Sequence, residues 1–86
     1  MKNVYQDAIN KWGVAAQTDQ AIEELSELIT ELLHYRRGKC PAEQVIDEIA
    51  DVKIILEQLE YIFGSEKIKE RMLAKLALLQ KLINSD

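Results

Sequence analysis

One cysteine, one proline and three glycines stand in a chain of 86 residues. A lone Cys40 excludes an intrachain disulfide and any zinc cage built from cysteines. So few turn formers leave room for only a few breaks between elements. Val, Thr, Phe, Tyr and Trp together supply 11 residues, too few for a β-sandwich or barrel. No stretch approaches the roughly 20 apolar residues that span a bilayer. Residues Met1 to Trp12 mix charges among apolar positions and do not read as a signal peptide. A basic excess is lacking too: 11 Lys and Arg against 15 Asp and Glu leave a net charge of −4, which argues against a nucleic-acid polymer as partner. What is present is a 48% hydrophobic set rich in Leu, Ile and Ala, enough to take the chain out of the disordered class. These limits lead to one all-α domain over residues 1–86, in a reducing, cytoplasmic setting, with no membrane partner.

The apolar spacing predicts four helices. Val4, Tyr5, Ala8, Ile9 and Trp12 make one helical face, closed by Gly13. A second run from about Val14 to Arg37 carries Ala21, Ile22, Leu25, Leu28, Ile29, Leu32 and Leu33. Thr18 or Asp19 is an alternative start, because either can cap a helix. Gly38 ends this run, and Arg36 and Arg37 suit the negative end of its dipole. Cys40 precedes Pro41, which fits the first position of a third helix running to Gly64. Ser65 then reads as the cap of a fourth, from Glu66 to about Ile83, with Ile68, Met72, Leu76, Leu79 and Ile83 as its stripe. The short connection at Gly38 to Pro41 predicts an antiparallel hairpin of the second and third helices. So small a chain buries little surface alone. Ile54 and Ile55 are additional apolar residues on the third helix, and a homodimer joining two hairpins into a four-helix-bundle core would cover them.

Several acids sit where apolar residues belong. With Glu48 as origin on a helical wheel, Val52, Leu59, Val45 and Ile55 all fall within about 60° of it, so Glu48 lies inside the stripe of the third helix. Asp51 borders the same stripe. On the second helix Glu24 borders the apolar face and Glu27 lies one turn on. A buried carboxylate without a partner is costly or becomes protonated. Counted from Gly38, Glu27 is eleven residues back and Glu48 ten residues on. An antiparallel hairpin therefore brings Glu24, Glu27, Glu48 and Asp51 to one height. Four converging carboxylates need a counter-charge, and hard oxygen donors suit Mg²⁺ or Mn²⁺. Mg²⁺ so held shares its shell with substrate phosphates. Glu23, Glu31 and Glu43 read as solvated.

The string Glu23-Glu24-Leu25-Ser26-Glu27, then twenty residues, then Glu48-Ile49-Ala50-Asp51, resembles the E-E-x-x-E and E-x-x-D motifs of the MazG-like all-α nucleoside triphosphate pyrophosphohydrolases. Trp12-Gly13, Arg37-Gly38-Lys39 and Asp51-Val52 look similar to the family's flanking text, and the resemblance covers roughly residues 9 to 63. It implies Mg²⁺-dependent hydrolysis of a (d)NTP to the monophosphate and pyrophosphate, a house-cleaning role on non-canonical nucleotides, and a helical bundle assembled as a dimer or tetramer. It also implies that Glu24, Glu27, Glu48 and Asp51 are the metal ligands and catalytic acids. Some relatives have Tyr or Asn one turn after E-x-x-D, where this chain has Ile54 and Ile55. Relatives with a known base preference use a late aromatic on the second helix, a place taken here by His34 or Tyr35.

A triphosphate needs positive charge beyond the metal. Lys67, Arg71 and Lys75 recur every four residues on the fourth helix and form the candidate row; a solvated flank of the core is the plainer account. Gln20, four residues before Glu24, can reach a base or sugar, and Trp12 can stack on a base or join the core. His34, the only histidine, cannot make a zinc site alone. Cys40 has no His–acid partner nearby and no nucleophilic role. Two other readings share these features: a non-enzymatic helical dimerisation or adaptor module, and an enzyme resembling phosphoribosyl-ATP pyrophosphohydrolase.

Overall fold

A computed structural model describes residues 3–85 and contains four α-helices in chain order, with no strand among those residues. They are α1 (Val4–Trp12), α2 (Val14–Arg36), α3 (Ala42–Phe63) and α4 (Ser65–Asn84). The all-α expectation holds. No helix is long and apolar enough to cross a membrane.

Each break has a local cause. Asn3 caps α1 by accepting from the backbone N–H groups of Tyr5 and Gln6, at 3.1 and 3.2 Å. Gly13 then takes φ +90, a value that costs an L side chain, and lets the chain end α1 and start α2 without a loop. This early start removes Thr18 and Asp19 as caps; the Thr18 hydroxyl instead donates to the Val14 carbonyl inside the helix. At the far end of α2, Gly38 sits at φ +69. Its N–H donates to Tyr35 O at 3.0 Å and that of Lys39 to His34 O at 2.8 Å, the paired bonds of a Schellman ending. Pro41 stands one place before α3 rather than at its first position, and Glu43 occupies the first turn. Ser65 is the first residue of α4 rather than its cap; Gly64 takes that place and offers no side-chain bond.

The hairpin of α2 and α3 forms the body, and α1 folds back against both helices. The core is small: Ala21 from α2, and Val45, Val52 and Ile55 from α3. Ile55 is thus a core residue, while Ile54 is exposed. Helix α4 touches α3 alone and exposes every residue from 69 to 84. The radius of gyration is 16.1 Å, well above the about 12 Å of a compact chain of this length. Four apolar residues form the core because α4 carries its stripe away from the hairpin.

Candidate metal centre

The hairpin sets α2 and α3 side by side, and three of the four expected acids meet between them. One carboxylate oxygen from each of Glu24, Glu27 and Glu48 lies within 4.8 Å of the other two. Helical spacing explains the α2 pair, since residues three apart share a face. The turn at Gly38 explains the height of Glu48, as the residue count from it predicted. Asp51 stands beside this group rather than within it. Its charge acts on both Glu24 and Glu48, and with Glu24 it lines a neighbouring cavity. Glu23, next to Glu24, is exposed.

Burial makes this a tense arrangement. Glu24 and Glu48 are half-buried, and Oε2 of each is sealed from solvent with no hydrogen-bond partner. Desolvation, opposed in part by a hydrogen bond from Gln20 and reinforced by Glu27, Asp51 and Glu23, raises the Glu24 carboxyl above its ordinary value. Desolvation, followed by the charges of Glu27, Asp51 and Glu24 and a hydrogen bond with the Glu27 carboxyl, raises Glu48 in the same direction. No Lys or Arg pairs with these acids among the described residues; the one contact there between a basic side chain and an acid is His34 Nδ1 to Glu31 at 3.9 Å. A cluster of three carboxylates with two orphaned oxygens and no cation is the donor set that a hard divalent ion fits. It has no sulfur or nitrogen ligand to favour a softer one.

The other expected residues separate into groups. Gln20 donates through Nε2 to Glu24 Oε1 at 2.8 Å, so its amide is engaged with an acid of the cluster. Trp12 is 59% exposed and lines the cavity that also touches Glu24 and Asp51, with Lys11 Nζ 5.3 Å from its ring centroid. Lys67, Arg71 and Lys75 line a different groove with Phe63, Ile68 and Met72, at the α3–α4 junction. His34 and Tyr35 lie in the last turn of α2, toward the Gly38 end, about 10 Å or more along the axis from Glu27. Cys40 donates to the Glu31 carbonyl at 3.6 Å, and burial with the Glu31 carboxylate pushes its thiol up, away from thiolate.

Three features escaped the sequence. Glu31 is not simply solvated: its Oε2 is buried and unpartnered. Gln17 and Gln58 are buried at 8% and 4% exposure and bonded to each other across α2 and α3. Tyr5 donates its hydroxyl to Glu57, tying α1 to α3. Polar residues at apolar spacing were the available signal for the two glutamines: Gln17 is four before Ala21, and Gln58 is three after Ile55. No protein-family model, curated protein or solved structure matches the chain.

Proposed function

We propose that the chain is a divalent-metal-dependent nucleoside triphosphate pyrophosphohydrolase that cleaves a (d)NTP to the (d)NMP and pyrophosphate. The observation that carries this reading is the meeting of Glu24, Glu27 and Glu48 within 4.8 Å, two of them with buried, partnerless oxygens. The motif resemblance of Glu23-Glu24-x-x-Glu27 and Glu48-x-x-Asp51 supplies the reaction class; the cluster supplies a reason for those acids to be there.

In this reading Glu24, Glu27 and Glu48 hold Mg²⁺, or Mn²⁺ in its place, and Asp51 adds charge beside them. The bound cation would draw the phosphate oxygens to the cluster and offset the charge that grows on them. A carboxylate of the cluster takes a proton from the attacking water. The water oxygen bonds to the α-phosphorus, the bond from that phosphorus to the α–β bridging oxygen breaks, and pyrophosphate leaves with the electron pair. Gln20 keeps Glu24 oriented through its amide.

A homo-oligomer, dimer or tetramer, belongs to the same proposal. The hairpin helices α2 and α3 carry eleven acids against two bases, whereas α4 carries five bases against two acids. An α4 that is unpacked and apolar along one side, with Leu76, Leu79 and Ile83 exposed, complements an acidic hairpin of a second copy. Lys67, Arg71 and Lys75 would then face acids that their own protomer does not bring near them.

A screen for pyrophosphate release with Mg²⁺ across standard, damaged and biosynthetic nucleotides, phosphoribosyl-ATP among them, tests the activity and selects the substrate. Glu27→Ala should abolish turnover while leaving the helical circular dichroism unchanged. Full turnover in that variant refutes the assignment. The exposed apolar side of α4 also favours a second reading, a non-enzymatic dimerisation module. That reading leaves the orphaned oxygens of Glu24 and Glu48 without a purpose, and it expects no stabilisation by Mg²⁺.

A further inference from the structure

A cavity of about 290 Å³ lies between α1 and the hairpin and reaches Glu24 and Asp51. Gln17 and Gln58 line it, although both are more than nine-tenths buried. Their bond to each other, Gln58 Nε2 donating to Gln17 Oε1, satisfies one group on each amide. A primary amide carries one acceptor oxygen and one NH₂ group with two N–H donors. Gln17 therefore keeps its Nε2 donor and Gln58 its Oε1 acceptor. Neither has another partner among the described residues, and neither is sealed from solvent. A pair that only filled space would be replaced by apolar side chains of the same size at little cost. The pair instead brings one wholly unbonded NH₂ group, that of Gln17, and one wholly unbonded carbonyl oxygen, that of Gln58, to a cavity that opens on the acid cluster.

We propose that Gln17 and Gln58 read the edge of a nucleobase lodged in this cavity. The inference rests on the nucleotide reading of the acid cluster, which would take the phosphates of the same molecule. The matching ligand edge is an acceptor next to a donor, as in a ring carbonyl beside N–H or a ring nitrogen beside an amino group. Both amides can turn over together and reverse the order, so either edge is met. Tyr5 and Trp12 bring aromatic surface to the cavity from α1, and flat rings stack on such surfaces. Tyr5 is held in place by its bond to Glu57. A base that lacks the adjacent donor leaves one buried amide group, the carbonyl oxygen, unanswered, and sites built to hydrogen-bond a ligand group reject analogues that lack it.

Trp12 is the only tryptophan and lines the cavity, so its fluorescence reports occupancy. The full chain is titrated without Mg²⁺ against adenosine, guanosine, cytidine, uridine and unsubstituted purine riboside. The readout is then independent of hydrolysis. At least one standard nucleoside should quench saturably, and purine riboside should bind at least tenfold more weakly than the best of them. The double variant Q17M/Q58M keeps the volume and removes the amides. It should bind purine riboside and the standard nucleosides within about threefold of one another, with its thermal shift on Mg²⁺ unchanged. Absence of saturable quenching, equal binding of purine riboside to the wild type, or a wild-type ranking in the double variant each overturns the proposal. Should the double variant lose its helical signal, the wild-type comparison of purine riboside with the standard nucleosides decides alone. A failed hydrolytic reading looks different: no pyrophosphate release and no shift with Mg²⁺, but a nucleoside ranking intact.

Discussion

Glu48→Gln tests the acid cluster with the least disturbance of shape. The amide has nearly the volume of the carboxylate, so the packing of Val45, Val52 and Ile55 beside it on α3 is preserved. Without metal, the substitution removes a charge whose Oε2 is buried and unpartnered and whose neighbours Glu24 and Glu27 are also acids. The variant should therefore melt at or above the wild-type temperature. With metal the order reverses. A cation at a hundredfold excess over its Kd adds about 2.7 kcal/mol to the folded state, which in a domain of this size is about 10–20 °C in the melting midpoint. If the three converging carboxylates hold the ion as proposed, loss of one of them should remove most of that gain. Melts followed by circular dichroism at one fixed protein concentration, with and without Mg²⁺, give both numbers. A metal-free Glu48→Gln that melts well below wild type, together with an undiminished response to Mg²⁺, would refute the reasoning, because Glu48 would then be a paired structural acid.

The pH dependence has a definite sign. Glu24 and Glu48 are raised above the ordinary 4.5 in the folded chain, so the folded state holds those protons more tightly than the unfolded state. Their contribution is complete below 4.5 and is lost as pH rises through the folded values. The metal-free wild type should accordingly lose melting temperature over that window relative to a Glu24→Gln/Glu48→Gln double variant, and saturating Mg²⁺ should shrink the loss by displacing the protons. Sedimentation should find the wild type as an oligomer at low micromolar concentration, and Leu79→Glu, on the exposed side of α4, should dissociate it; a stable wild-type monomer removes the oligomer proposal.

The meeting of the acids was legible because its geometry depends on counting. An antiparallel hairpin with a tight turn maps residues at equal distances from Gly38 onto one height, and the Schellman ending at Gly38 and Lys39 keeps that turn tight. Glu27 and Glu48 meet for this reason, and Glu24 follows because it is three residues from Glu27. Asp51 is thirteen residues from Gly38 and Glu24 fourteen, so the count also set Asp51 opposite Glu24. It did not fix side-chain direction, and Asp51 stands at the edge of the group. The wheel found Glu48 because four apolar neighbours surround it in sequence. It passed over Glu31, whose backbone carbonyl meets the Cys40 thiol across the turn and whose Oε2 is buried. A contact nine residues away across a turn has no periodic signature.

The fourth helix shows where periodicity stops being informative. Its stripe of Ile68, Met72, Leu76, Leu79 and Ile83 is as regular as those of α2 and α3, and regularity alone predicts that a helix is covered on that side. It does not say by what. Gly64 directs α4 away from the acidic hairpin, and after its first turn the helix exposes both its apolar stripe and its bases. Large apolar residues left open along most of a helix are costly for a free chain and ordinary for one that meets a partner. The same separation leaves Glu24, Glu27 and Glu48 without a Lys or Arg partner among the described residues. One hypothesis answers both deficits: a second copy brings the basic, apolar α4 to the hairpin, and a divalent ion fills the centre of the acids. The two are separable, since Leu79→Glu should break the first while Glu48→Gln breaks the second.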